Sequence, residues 1–177
     1  LNDHPGTLVL EEHTSMENVV IRGVSIERSQ ARVTITGIPD APGMSGRILG
    51  ALGDAEINLD MIVSNIAHDG FARHSFTMHS SDLAKAQAAL KAVLAEISSN
   101  AKIETDVGIA KLSAVGIGMR THSGVAATMF KALGDAGINI GMISTSEIKI
   151  AVTVDETRIE DAARAVHDAF QLDRQPV

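Results

Sequence analysis

An internal repeat constrains the fold of this chain more than any other feature of its sequence. The segment ALGDAEIN, which begins at Ala51, recurs as ALGDAGIN beginning at Ala132, an offset of 81 residues. Upstream, residues 31–37 match residues 110–116 at an offset of 79, so the second copy has two extra residues between its first strand and its first helix. Two homologous modules are the simplest explanation of this pattern.

The hydrophobic period changes several times within each copy. In the first copy, Val33 and Ile35 alternate with polar residues, which predicts a half-buried strand. After Pro42-Gly43 the apolar residues return at helical spacing. A strand at about 58–66, a second strand after the turn at 68–70, a second helix capped by Ser81-Asp82 and a closing strand near 102–107 are predicted to follow. This order, βαββαβ, is the ferredoxin-like arrangement and places the chain in the α+β class.

The second copy lacks its last strand. Its elements are predicted in this order: strand 111–118, helix 123–136, strands 138–144 and 147–154, and helix 156–170. A sheet that is one strand short exposes an edge, which is a hazard for a soluble protein. We therefore expect the strand-like segment 19–26 to cross over and complete the second sheet. The predicted division is a tail at 1–15, module 1 at 31–108, and module 2 at 18–27 plus 109–171.

The composition argues against several classes of partner. The formal net charge is −7 and the chain has four Phe but no Tyr or Trp, whereas nucleic-acid binding needs clustered positive charge and aromatic platforms. Without cysteine there is no disulfide, thiolate zinc site or cysteine nucleophile. No apolar run approaches the ~20 residues of a membrane span. We expect a cytoplasmic protein that binds neither nucleic acid nor membrane.

Two motifs that suggest other chemistry do not fit their templates. Gly116-Ile-Gly118 resembles a dinucleotide-binding loop, but the next glycine is at 124 instead of 121. Three histidines of the first copy lack the spacing of a metal site. One of them, His74, shares its strand face with Phe76 and is predicted to be a core or interface histidine.

The loop at 37–45 joins a strand to a helix and is the best candidate for a binding site. Pro42 suits helix entry, and Gly43 lets a ligand approach the backbone closely. The N–H groups of Gly43, Met44 and Ser45 would face a carboxylate at the positive end of the helix dipole. Asp40 either caps the helix or binds the ammonium group of an amino acid, and both alternatives remain open.

Tandem βαββαβ units with D-x-P-G after the first strand resemble ACT domains, which sense small molecules. Over 16–170 the chain resembles, more closely, the regulatory regions of bacterial aspartate kinases, found as the C-terminal half of a long subunit or as a separate β subunit. Three segments carry this resemblance: GIPDAPG from Gly37, INLDMI from Ile57 followed by Asn65, and IGMISTSEIKI from Ile140.

The resemblance implies a sensor for threonine and/or lysine that mediates feedback inhibition of aspartate phosphorylation. The effector would bind where module 1 of one chain meets module 2 of another. The implied contacts are Asp40, Gly43, Met44, Ser45, Asn58, Asp60, Ser64, Asn139 and Ile140. A second, lysine-type site would use Met119, Ser123, Gly124, Ser146 and Glu147. Ser45 and Ser64 replace the family's usual Ala and Gln, and both border the effector's side chain.

The resemblance also implies the partners. These are a second copy of the chain and an aspartokinase catalytic domain or α subunit, with residues 1–15 as the end of the connection to that domain. The phosphotransfer, with its ATP and Mg²⁺, would belong to the kinase domain, so no catalytic residue, metal or cofactor is expected in this chain. Two alternatives remain: a dimerisation module without a ligand, and an ACT pair that regulates another amino-acid enzyme.

Overall fold

The computed structural model describes residues 21–66, 70–116 and 124–174. The strands are β1 Gly23–Pro39, β2 Ile62–Ile66, β3 Phe71–His79, β4 Lys102–Val115, β5 Ile143–Thr145 and β6 Lys149–Asp155. The helices are α1 Met44–Asp54, α2 Leu83–Ile97, α3 Val125–Asp135 and α4 Ile159–Ala169, with short 3₁₀ turns at Ser80–Asp82, Glu156–Arg158 and Leu172–Arg174. This order confirms the predicted α+β class.

All six strands form one antiparallel sheet in the order β2-β3-β1-β4-β6-β5. Its centre is the pair of long strands β1, with 17 residues, and β4, with 14. The sequence predicted separate strands at 102–107 and 111–118, but β4 runs without a break from the first into residues 111–115 of the second, and 117–118 lie outside the described residues. Likewise β1 joins the end of the predicted strand 19–26 to the next strand. The two modules therefore share a sheet.

The prediction that an N-terminal strand completes the second module is confirmed. Residues 23–27 pair with residues 115–111 of β4, so the second module has the strand order β5-β6-β4-β1. The first module uses the other half of each long strand, where Thr36 pairs with Lys102, and has the order β2-β3-β1-β4. Each long strand thus contributes one half to each module.

A change of face along both long strands lets them serve two cores. On β1, the even-numbered Ile26 packs against the second core, whereas the odd-numbered Val33 is fully buried in the first. The switch occurs at Ser29, a non-glycine residue with φ of 56°, where the register with β4 shifts. On β4 the switch coincides with Gly108, at φ of 71°. Such bulges re-aim the side chains that follow them.

Each core consists of one half of the sheet covered by two helices. The first core lies under α1 and α2 and includes Ile48, Leu52, Phe76 and Leu90. The second lies under α3 and α4 and includes Leu112, Met129, Leu133 and Val166. Because fully burying one such side chain stabilises a protein by ~1.5–3 kcal/mol, these apolar faces fix the helix positions. In the described part of the chain, no helix is both long and apolar enough to span a membrane.

Some element ends differ from the prediction. Strands β2 and β5 begin at Ile62 and Ile143, later than the predicted 58 and 138, because the preceding residues form loops. The cap expected from Ser81-Asp82 is absent: His79 Nδ1 accepts from the Ser81 N–H at 3.3 Å, and a 3₁₀ turn precedes α2.

Candidate functional site

The loop between β1 and α1 is held in place at its start. The Asp40 N–H donates to the Gly70 carbonyl at 3.0 Å. Just upstream, Gly37 has φ of 72° and lies so close to the Asn100 carbonyl that a Cβ at this position would overlap it. Only glycine tolerates both conditions, so the backbone path into the loop depends on it.

The N-terminus of α1 has a glycine as its N-cap. Gly43 has φ of 88°, no side chain caps this helix, and the carboxylate of Asp40 has no partner within the described ranges. The alternative that Asp40 is the cap is therefore wrong. The Met44 N–H donates to the Ala41 carbonyl at 3.3 Å, while none of the described carbonyls accepts from Ser45 N–H. Of the three N–H groups expected to face a carboxylate, that of Met44 is thus already bonded.

The second module repeats this geometry. Gly124 is the N-cap of α3 with φ of 101°, and its carbonyl accepts from the Thr128 N–H at 2.8 Å. Gly124 lies 81 residues after Gly43, so it is the equivalent position in the repeat. Met119 and Ser123, predicted for the second effector site, lie outside the described residues. Ser146 and Glu147 lie in the turn after β5, where the Ser146 N–H donates to the Lys149 carbonyl at 2.7 Å.

His74 lies beneath the N-terminus of α1. Its side chain is only 5% exposed, and its Nε2 is 3.3 Å from the Ser45 Oγ. On the sheet it is directly opposite Ile35 of β1 and Ser64 of β2. Burial lowers the pKa of His74 below its ordinary value of 6.5. The prediction of a core histidine is confirmed, but its contact with a candidate effector residue was missed, although alternation with Phe76 already placed it on the helix face.

Asp60 takes part in an ion cluster that joins the two modules. Its carboxylate is bound by the Nζ of Lys111 on β4, which also lies 2.7 Å from Glu27 Oε1 on β1. The Lys111 side chain is 3% exposed. Burial lowers the pKa of Lys111, but the hydrogen bonds that its ammonium donates to Asp60 and Glu27, together with their negative charges, outweigh burial, and the net pKa is raised. The nearby Asn58 is exposed, in the same loop before β2.

Asn139 and Ile140 lie far from the α1 loop in the same chain. They line a cavity of about 260 Å³ beside Arg32, whose Nε donates to Asp106 at 2.9 Å. From Arg32 to Asp40 the extended β1 covers eight positions, ~25 Å at strand geometry. Asp40 is therefore remote from this cavity within one chain, whereas Asp60, whose N–H donates to the carbonyl of Thr77 opposite Arg32, lies closer to it.

Both edges of the sheet expose apolar side chains. On β2, Ile62 is 51% exposed and Ile66 is 70% exposed, and on β5 Ile143 is 45% exposed. Ile62 and Ile143 are equivalent positions of the repeat. Edge strands with exposed apolar residues are ready to pair with another chain. In the part of the chain that the structure covers, no three His, Cys, Asp or Glu side chains gather as they would around a metal ion.

Family and structure comparisons agree on one kind of protein. Family models described as the ACT domain match residues 31–97 and 112–170. The chain is 48% identical over 170 residues to the aspartate kinase Ask_LysC of Stutzerimonas stutzeri, covering 96% of this chain but 41% of that kinase.

Two solved structures are similar over almost their whole length. The ligand-free regulatory subunit of aspartate kinase from Thermus thermophilus has a TM-score of 0.79 and 36% identity, covering 85% of this chain and 99% of that chain. A chain from the crystal structure of aspartokinase alpha and beta subunits has a TM-score of 0.79 and 43% identity. This match covers 86% of the present chain and 99% of the solved chain.

Proposed function

Because this chain belongs to the family of aspartate kinase regulatory regions, which are built from two ACT domains, we propose that it binds an amino-acid effector and thereby controls an aspartate kinase. The proposed effectors are threonine and/or lysine, the end products expected to inhibit aspartate phosphorylation. The chain spans 41% of the length of the Stutzerimonas kinase that it matches, and phosphotransfer is assigned to the remainder of such an enzyme.

The observation that carries this proposal is the α1 N-terminus with its unpaired groups. The Ser45 N–H lacks a carbonyl acceptor among the described residues and lies at the positive end of the helix dipole, where a carboxylate is stabilised. The Asp40 carboxylate, free of a capping role, is available to an ammonium group. A zwitterionic amino acid needs both groups at once.

The proposed site is completed by a second chain. Asn139 and Ile140 line a cavity beside Arg32, and Asp40 lies ~25 Å from Arg32 along β1, so in this proposal they contact the effector from a partner chain. The exposed edges β2 and β5 supply surfaces for such pairing. We therefore propose a homodimer in which module 1 of one copy faces module 2 of the other.

Titration calorimetry with threonine, lysine and methionine tests the proposal, with sedimentation in parallel. The wild-type chain is expected to bind threonine or lysine, and Asp40→Asn to weaken that binding at least ~30-fold, since a desolvated charge pair at an interface is worth ~2–5 kcal/mol. Asp54→Asn, at an exposed position in α1, is the matched control and should bind as wild type does. A chain that dimerises but binds none of the three amino acids is a dimerisation module instead.

A further inference from the structure

We propose that His74 determines the effector specificity of module 1 and makes effector binding dependent on pH. In this inference, which rests on the proposed function, Ser45, His74 and Ser64 form a neutral polar floor for the effector's side chain. The floor selects a small side chain with a hydroxyl group and disfavours one with an ammonium group.

The geometry places the imidazole beside the Ser45 hydroxyl and opposite Ser64 on the neighbouring strand. His74 Nε2 is 3.3 Å from the Ser45 Oγ at the start of α1. Ser64 is the cross-strand neighbour of His74 on β2, and such neighbours have Cβ atoms ~4.5–5.5 Å apart on one face of the sheet. Both serines are exposed while His74 is buried, so a ligand on the α1 loop meets the serines first and His74 beneath them.

The surroundings of His74 keep the imidazole neutral. Burial lowers its pKa, and its cross-strand neighbour on β1 is the apolar Ile35. Strand β2 contains no ionisable residue. The charged residue next to His74 on β3, Arg73, is paired with Glu104, and Arg47 near the start of α1 is paired with Glu96, while Asp40 belongs to the loop. Among these described groups, no carboxylate besides Asp40 is left to neutralise a second cation at the floor.

This neutrality selects the class of side chain. A hydroxyl group can donate to or accept from a neutral imidazole and the serine hydroxyls. A buried ammonium group would have only uncharged partners there, and a buried charge without a countercharge is strongly disfavoured. Protonation of His74 would place a positive charge under the ligand. A bound ligand buries the imidazole further, and burial disfavours its protonated, charged form. Binding of the ligand and protonation of His74 therefore oppose each other.

The test is calorimetry with threonine, with valine as the isostere that lacks the hydroxyl, and with lysine, from pH 7.5 to pH 5.5. Wild type should bind threonine ~10-fold more tightly than valine, the worth of one hydrogen bond of ~1.4 kcal/mol. Its threonine affinity should fall as the pH is lowered below 6.5, because His74 then becomes protonated in the free protein. His74→Ile should lose both the preference and the pH dependence, while His79→Gln, at an exposed histidine of the same strand, should keep both.

His74→Gln provides a second readout if the isoleucine variant does not fold. Glutamine keeps a neutral polar group, so it should retain a preference for threonine over valine but lose the pH dependence. If threonine binds and both His74 variants behave as wild type, the inference on His74 is wrong and the proposed function stands. Wild type that binds lysine more tightly than threonine at this site also overturns it. If no amino acid binds to wild type, the proposed function and this inference fail together.

Discussion

Replacing Lys111 with methionine tests how the two modules are joined. The Lys111 side chain is 3% exposed, whereas its partners Asp60 and Glu27 are 35% and 50% exposed. Methionine keeps the apolar volume of the lysine stem, and both carboxylates can turn towards water once the ammonium group is gone. Removing one partner of a buried pair costs ~3–5 kcal/mol when the remaining charge stays buried. Because these carboxylates are partly solvated, we expect a loss of only ~1–2 kcal/mol.

The converse substitution should cost more. Asp60→Asn leaves the buried Lys111 ammonium with Glu27 as its one carboxylate partner, and the lysine cannot reach water as easily as a carboxylate can. We expect a loss of ~2–3 kcal/mol for this variant. The double variant should be close to Lys111→Met alone, because Asp60 no longer has a cation to bind. The double-mutant cycle would then give a coupling energy of ~2–3 kcal/mol, equal to the loss expected for Asp60→Asn alone.

Urea unfolding at pH 7 measures all four proteins, with the m-value as a check on cooperativity. Arg47→Met is a matched control, because the Arg47–Glu96 pair joins two helices at the surface and should contribute at most ~1 kcal/mol. A coupling energy near zero between Lys111 and Asp60 would refute the cluster as an energetic link. A loss above ~4 kcal/mol for Lys111→Met would show that water does not relieve the two carboxylates.

Three further predictions follow from features of single residues. Gly37→Ala should destabilise the chain by ~2 kcal/mol or more in urea unfolding, because of its positive φ and the nearby Asn100 carbonyl, whereas Gly50→Ala in the interior of α1 should be neutral or slightly stabilising. Because the pKa of His74 is lowered on folding, its contribution to stability is complete above pH ~6.5 and is lost as pH falls through the folded-state pKa. In that pH range the free energy of unfolding of wild type should therefore decline more steeply than that of His74→Gln. Ser146→Phe, in the exposed turn between β5 and β6, should leave the melting curve unchanged but relieve feedback inhibition in the full enzyme by ~5-fold or more; inhibition curves that overlay wild type would contradict this.

The elements of this fold could be predicted from local patterns, whereas the way they join could not. Alternation around Val33 and helical spacing around Ile48 are properties of adjacent residues, and both gave buried faces as expected. The missing strand of the second module could be inferred from the repeat. The bulge at Ser29, which turns two predicted strands into one, has no comparable local signal, since serine is common in many conformations.

The loop of the candidate site could be predicted from the sequence, but the distant residues that contact the predicted site residues could not. Pro42 and Gly43 signalled a helix entry, although the choice of cap between Asp40 and Gly43 depended on backbone angles that the sequence does not show. Ser45 and His74 are 29 residues apart, and Lys111 and Asp60 are 51 apart. Such contacts require the strand register as well as the elements, so periodicity alone does not reveal them.

The shared long strands also impose an order on folding during synthesis. Gly23 pairs with Val115, and Thr36 pairs with Lys102, so β1 must wait until residues 102–115 are made before either of its halves gains its β4 partner. At ~5–20 residues per second on the ribosome, the 92 positions from Gly23 to Val115 correspond to ~5–18 s. During that time Val24 and Ile26 of β1 lack the second core against which they pack, so they are open to other nascent chains. Chaperone dependence in vivo and slow, high-contact-order refolding in vitro are therefore expected of both modules together.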